Sequence, residues 1–114
     1  MAVNWYCQNF GFSEQKRFAK QEFEISGAVL TNEDTMLELL EPFHPILKNN
    51  KDVKDLTSLL RKTGLNHIAI QVNDLKKTYD TLQEQNTPLI TNIISNQFFF
   101  CLDPDGIPLE VKQK

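Results

Sequence analysis

Helical and alternating hydrophobic patterns follow one another in the first part of the chain. Apolar residues at helical spacing predict a helix over residues 4–10, which Gly11 ends because glycine adopts the left-handed conformation at low cost. Alternating apolar positions then predict two short strands between residues 17 and 30, broken near Ser26-Gly27. After a polar turn, residues 35–41 predict another strand, and the proline that follows ends it.

The second part of the chain repeats this order. Alternation predicts a strand over residues 66–72, and Asp74 can cap the amphipathic helix that follows. A tight turn is predicted at Asp103-Pro104-Asp105-Gly106, because proline and glycine suit its central positions. The remaining alternating segments predict three strands, at residues 88–94, 97–102 and 107–112.

Residues 46–64 differ from both parts. Leucines recur at helical spacing after Asp52, a residue type that caps helices, and Gly64 can close such a helix. We interpret residues 48–64 as a connector helix between two modules.

The two modules resemble each other in element order. In each, a helix precedes three strands, and the last strand carries a glutamate inside an apolar stretch, Glu38 or Glu110. We therefore expect an α+β fold with two βαβββ modules, residues 1–47 and 65–114, in one domain spanning residues 1–114. We expect the first module to lack its opening strand.

Composition narrows the functional classes. The chain has 114 residues, 40% of them hydrophobic, with a net charge of −3. This composition is typical of one folded domain, and the slightly negative net charge gives no basic surface for binding nucleic acid. No apolar run reaches the roughly 20 residues that span a bilayer, and no secretion signal follows Met1. Two cysteines, Cys7 and Cys101, make no disulfide framework or metal motif. We expect a cytoplasmic protein whose thiols are reduced, buried and inert.

Three polar residues have the chemistry of metal ligands. Glu38 and Glu110 lie within apolar strands, where an unpaired buried charge would be costly, so each faces either solvent or a polar site. His67 lies on the face of its strand opposite Ile68 and Ile70. One imidazole with two carboxylates suits Zn²⁺, Ni²⁺, Mn²⁺ or Fe²⁺.

The chain resembles the vicinal oxygen chelate superfamily, which includes lactoylglutathione lyase, methylmalonyl-CoA epimerase, extradiol dioxygenases and antibiotic-resistance proteins. The segments that carry the resemblance are residues 5–12, 37–42, 66–75 and 98–110. Together they cover nearly the whole chain in the family's order.

The resemblance implies one metal ligand on each of four strands. Glu38, His67 and Glu110 match the second, third and fourth ligands, whereas the first, a histidine, has no match. His44 lies between prolines in a predicted loop and is no obvious substitute. We expect substoichiometric metal in this chain, and an in-frame strand with a histidine upstream of Met1 would restore the fourth ligand.

The same resemblance implies a metal-dependent lyase or isomerase that stabilises an enediolate, with Glu110 as ligand and base and Glu38 as the alternative base. The other interpretation is a non-catalytic small-molecule binding or resistance protein that uses the same cleft. Retention of three ligand-type residues favours the enzyme, and loss of the first strand favours the binding protein.

Two further expectations concern packing. Phe98 and Phe100 share one strand face while Phe99 and Cys101 share the other, and parity does not decide which pair faces the cavity. An open sheet edge in the first module favours a homodimer.

Overall fold

The computed structural model describes residues 1–44, 55–60 and 65–114. The chain divides into two compact units, Met1–Lys48 (unit 1) and Asn49–Lys114 (unit 2). Each contains one three-stranded sheet. This arrangement agrees with the α+β, glyoxalase-like fold expected from the sequence. The module boundaries at residues 47 and 65 stay predictions.

Unit 1 is a helix followed by an antiparallel sheet. Helix α1 (Val3–Phe10) ends at Gly11, whose φ of 71° is the left-handed conformation that the sequence predicts there. The strands are β1 (Ser13–Lys20), β2 (Ile25–Asn32) and β3 (Thr35–Pro42), with β2 in the centre. β3 pairs with β2 on one side and, within the described residues, with no strand on the other.

The break between β1 and β2 lies earlier than predicted. A short 3-10 turn (Gln21–Phe23) leads to Glu24, which adopts a φ of 53°, and β2 then runs through Gly27 without interruption. A Cβ on Gly27 would lie 2.5 Å from the ring of Phe18. The glycine therefore reflects close packing of an aromatic side chain over the strand rather than a turn.

Helix α1 covers one face of the unit 1 sheet. It contacts β1 and β2, and the Asn32 amide donates to the carbonyl of Phe10 over 2.8 Å. Ala28 and Leu30, which share the face of Asn32, are fully buried. The opposite face carries Val29 and the residues paired with it.

Unit 2 contains a mixed sheet with a crossover helix. Its elements are α2 (Leu56–Leu60), β4 (Ile68–Val72), α3 (Leu75–Glu84), β5 (Phe98–Leu102) and β6 (Pro108–Gln113). β6 is central, parallel to β4 and antiparallel to β5. The Asp74 carboxylate accepts a hydrogen bond from the backbone N–H of Lys77, so it caps α3 as predicted.

Residues 88–94 do not form the predicted strand. They run beside β5 through two isolated bridges, Leu89 with Cys101 and Ile94 with Phe98. From one bridge to the next the chain advances by five residues in this segment but by only three in β5. The two segments therefore cannot form a regular ladder of hydrogen bonds. The Thr91 hydroxyl accepts the hydrogen bond of the Phe100 backbone N–H and replaces a backbone acceptor there.

The predicted connector helix is described only in part. α2 lies inside residues 48–64, whereas Asp52 and Gly64, the predicted ends, lie outside the described residues. Among the helices that the structure describes, none has the length and hydrophobicity to cross a membrane.

Candidate functional site

The unit 2 sheet has one face toward α3 and one face away from it. The rings of Phe99 and Tyr79 are in edge contact at 5.1 Å, which places Phe99 and its neighbours in register on the α3 face. Ala69, Glu110 and Phe100 form one row across the three strands on the opposite face. The question that parity left open is therefore settled: Phe98 and Phe100 lie on the face of Glu110.

His67 and Glu110 meet on that face. The imidazole Nε2 lies 3.9 Å from the Glu110 carboxylate Oε1, with the two side chains 24% and 18% exposed. The His67 ring also makes an edge contact with Phe100 at 5.0 Å. Its second nitrogen, Nδ1, lies 2.7 Å from the amide oxygen of Asn66. The site is thus a half-buried acid–imidazole pair beside an aromatic ring.

Position in the sheet explains why Glu110 is sheltered. β6 has a neighbouring strand on each side, and the residues that flank Glu110 in register are Ala69 and Phe100. The small side chain of Ala69 leaves space above β4, while Phe100, only 3% exposed, closes the β5 side. The carboxylate is consequently open toward His67.

Unit 1 presents its own polar position on the face away from α1. Glu38 is in register with Val29, which is in register with Lys16. A cleft of about 360 Å³ opens on this face, and its lining combines three charged and four apolar residues: Lys16, Phe18, Lys20, Phe23, Ile25, Val29 and Glu38. Glu38 itself is exposed, so its apolar sequence neighbours do not bury it.

The chemistry of the cleft suits a ligand with both apolar and anionic parts. Two ammonium groups, Lys16 and Lys20, rise from the same face as the Phe18 ring, and the Lys20 Nζ lies 5.8 Å from the centre of that ring. The hydrophobic pattern of the sequence did not single out these three residues. Their spacing at every second position of β1 is the signal that could have found them.

The donor set fits a divalent ion. Imidazole nitrogen and carboxylate oxygen bind such ions at about 2.0–2.2 Å, so two ligands of one ion can lie up to about 4.4 Å apart. The 3.9 Å between His67 Nε2 and Glu110 Oε1 is within that limit. Within residues 1–44, 55–60 and 65–114, no cluster of three or more potential ligand side chains occurs. Glu38 belongs to unit 1, so its place beside the pair stays a prediction.

The remaining candidates occupy less suggestive positions. His44 is exposed in a bend after β3. Cys7 on α1 is half-buried, whereas Cys101 on β5 is fully buried. Burial, with a smaller contribution from the charge of Asp103, raises the pKa of the Cys101 thiol to about 12. Cys101 is therefore the inert thiol that the sequence predicts.

Comparison with known families assigns the chain. The family model for the glyoxalase/bleomycin resistance protein/dioxygenase superfamily matches residues 1–111. The chain belongs to this superfamily, which confirms the family expected from the motifs.

Individual relatives differ in what they do. The uncharacterized protein YaeR of Escherichia coli (strain K12) is 27% identical over 116 residues, covering 96% of this chain and 83% of its own. The trypanothione-dependent glyoxalase I of Leishmania major superimposes with a TM-score of 0.75 at 22% identity, covering 98% of this chain and 76% of that one. The fosfomycin resistance protein FosX of Listeria monocytogenes gives a TM-score of 0.65 at 11% identity, covering 98% and 79%. These two structures show the shared fold alone.

Proposed function

We propose that this protein is a divalent-metal-dependent lyase or isomerase of the glyoxalase type. Glu38, His67 and Glu110 would hold the ion, which is Zn²⁺, Ni²⁺, Mn²⁺ or Fe²⁺. The observation that supports the proposal is the half-buried pair of His67 and Glu110, 3.9 Å apart on the sheet face away from α3. Superfamily membership adds support, because the superfamily includes metal-dependent enzymes such as glyoxalase I.

In this proposal His67 is a metal ligand, whereas Glu110 is both a ligand and the catalytic base. A bound ion would supply Lewis acidity that stabilises an enediolate formed from a substrate with adjacent oxygens. The Glu110 carboxylate accepts a proton from one oxygen-bearing carbon of the substrate and returns it to the neighbouring carbon. Glu38 is the alternative base. Phe100, buried beside the pair, excludes water from one side of the site.

The substrate in this proposal is a small molecule with an anionic group and an apolar part. The unit 1 cleft supports this, because Lys16 and Lys20 can attract an anion while Phe18 and Val29 offer apolar surface. We also propose that the protein acts as a homodimer in the cytoplasm, with neither nucleic acid nor a membrane as partner.

A second candidate function is binding without catalysis. Its support is the unit 1 cleft, where Lys16 and Lys20 can hold an anionic ligand without a metal and where Glu38 is exposed rather than enclosed as a ligand. One structural neighbour is a fosfomycin resistance protein, so the fold also occurs in resistance proteins.

Metal analysis of purified protein separates the two functions. We expect substoichiometric metal after chelator-free purification, and therefore little turnover of a hemithioacetal or an acyl-CoA before metal is added. In titrations with Zn²⁺ and Ni²⁺, His67→Ala and Glu110→Gln should weaken binding more than about tenfold, because each removes a direct ligand. His44→Ala, the matched control, replaces the other of the two histidines and should leave binding unchanged.

Either of two results would contradict the metal site. Full occupancy that survives both His67→Ala and Glu110→Gln would place the ion elsewhere. No detectable binding by the parent chain would favour the non-catalytic function instead.

A further inference from the structure

Asn66 connects the candidate metal ligand His67 to helix α2. The Asn66 side-chain Nδ2 donates to the backbone carbonyl of Leu59 over 2.8 Å. Leu59 is fully buried, so this acceptor is held firmly within unit 2. Neither the hydrophobic pattern nor the metal-ligand spacing of the sequence draws attention to Asn66.

The bond to Leu59 determines which way the Asn66 amide points. A carbonyl oxygen can only accept a hydrogen bond, so the amide group facing Leu59 must be the NH₂. The amide oxygen then faces the other way, and it lies 2.7 Å from His67 Nδ1. The hydrogen-bond network therefore fixes the orientation of an amide whose two ends are similar in shape.

The same reasoning determines the tautomer of His67. Because the Asn66 oxygen can only accept, the 2.7 Å contact requires a proton on Nδ1. In the neutral imidazole Nε2 then carries the lone pair. Glu110 does not oppose this, since its carboxylate lies 3.9 Å from Nε2, too far for a hydrogen bond from an Nε2 proton.

We propose that Asn66 is a positioning residue that holds His67 as the Nδ1–H tautomer, so that Nε2, the nitrogen 3.9 Å from Glu110, carries a lone pair available to an ion. A histidine that binds metal through one nitrogen commonly donates from the other, and loss of such an outer partner lowers metal affinity about 10–100-fold. The consequence for metal affinity rests on the proposed function, whereas the tautomer itself does not.

Nitrogen NMR of the metal-free protein tests the tautomer directly. With only two histidines in the chain, His67 can be assigned by comparison with His67→Ala, and His44 is an internal control. At about pH 8, where an ordinary imidazole is neutral, we expect the ¹⁵N shifts and long-range couplings of His67 to show a protonated Nδ1 and an unprotonated Nε2.

Two variants separate positioning from a merely structural effect. Asn66→Ala removes the acceptor, and His67 should shift toward a mixture of tautomers while His44 stays unchanged. Asn66→Asp keeps an oxygen facing Nδ1 and should retain the Nδ1–H form even though its bond to Leu59 is lost. A protonated Nε2 on His67 in the parent protein, which needs no variant to fold, would overturn the proposal.

Zn²⁺ titration of the same proteins then measures the consequence. We expect Asn66→Ala to weaken Zn²⁺ binding about tenfold or more and Asn66→Asp to restore most of the affinity. If the parent shows the Nδ1–H tautomer but binds no Zn²⁺, the positioning role stands and the proposed metal site fails. If Asn66→Ala leaves the tautomer of His67 unchanged, the positioning role fails whatever the metal does.

Discussion

The carboxylates of the two units have similar sequence neighbours and different surroundings. Glu38 lies between two leucines on β3, an outer strand of the unit 1 sheet as described, and it is exposed. Glu110 lies between leucine and valine on β6, the central strand of the unit 2 sheet, and only 18% of its side chain is exposed. Both point away from the helix that covers their own sheet.

This difference separates two determinants of a site. Alternation along a strand sets the face on which a side chain lies, and it is readable from local sequence. The strand's place in the sheet sets burial, and it depends on which strands become neighbours. A carboxylate on a central strand gains partners such as His67, whereas one on an outer strand stays available to solvent and to mobile lysine side chains.

The largest expected effect is a loss of stability at high pH caused by burial of the Cys101 thiol in unit 2. The half-buried Cys7 of unit 1 is the matched position. In the unfolded chain the Cys101 thiol loses its proton near its ordinary pKa of 9.0, whereas in the folded protein it does so only near 12. Raising the pH from 9 to 12 therefore favours unfolding, by about 3 kcal/mol from this group. Well below pH 9 the thiol is protonated in both states and contributes no pH dependence.

Denaturant unfolding across that pH range checks this expectation. The parent should lose stability more steeply than Cys101→Ala, which cannot titrate there, while Cys7→Ala should follow the parent. Equal slopes for the parent and Cys101→Ala would show that the thiol is less buried than the structure indicates.

An effect of similar size is expected at the turn that aligns β5 with β6. The Asp103 side chain is buried, and its Oδ1 accepts hydrogen bonds from the backbone N–H groups of Asp105 and Ile107, each over 2.8 Å. Asp103→Ala leaves both donors without this acceptor and should lower the free energy of unfolding by about 3 kcal/mol.

The same turn supplies its own control. The Asp105 side chain is exposed, so Asp105→Ala should change stability by less than about 0.5 kcal/mol in thermal or denaturant unfolding. Comparable losses in the two variants would mean that net charge, rather than the buried hydrogen bonds, stabilises the turn.

The smallest effect is expected at the hairpin of unit 1. Glu33, between β2 and β3, has a φ of 52°, a conformation that costs energy for a residue with a Cβ. Glu33→Gly should stabilise the protein by about 0.5 kcal/mol, since relief of strain outweighs the added freedom of the unfolded chain. Gly106, with a φ of 84° in the unit 2 turn, is the matched position, and Gly106→Ala should destabilise by about 1 kcal/mol. A loss of stability in Glu33→Gly would contradict the strain.

Elements with a local chemical signal were predicted well from the sequence. The end of α1 at Gly11 and the cap of α3 at Asp74 follow from the conformational and hydrogen-bonding properties of single residues. The break after β1 was misplaced because Gly27 signals a contact with Phe18, which no local pattern contains. The irregular path of residues 88–94 depends on a hydroxyl from Thr91 that replaces a backbone acceptor.

In the candidate site, too, the features with a local signal could be predicted, whereas those set by the fold could not. Parity placed His67 on the face away from the helix, and the register of β4 with β6 brings it to Glu110. The roles of Asn66 and of the lysines of β1 were not predicted, because polar residues of those types are common on exposed surfaces. Their significance arises from a buried carbonyl acceptor and from a cleft, which only the folded chain has.

The pairing of β5 with β6 also restricts how this chain can change in length. Leu102 is in register with Pro108, and Phe100 with Glu110, so successive residues of β6 alternate between the two faces. Deleting Leu109 alone would bring the carboxylate opposite Cys101, on the face toward α3, and would abolish the pair with His67. Residues 90–93 lie between two isolated bridges, so insertions there leave the parity of β6 untouched. Descendants of this sequence can therefore vary in length beside the site but not within the strand that carries it.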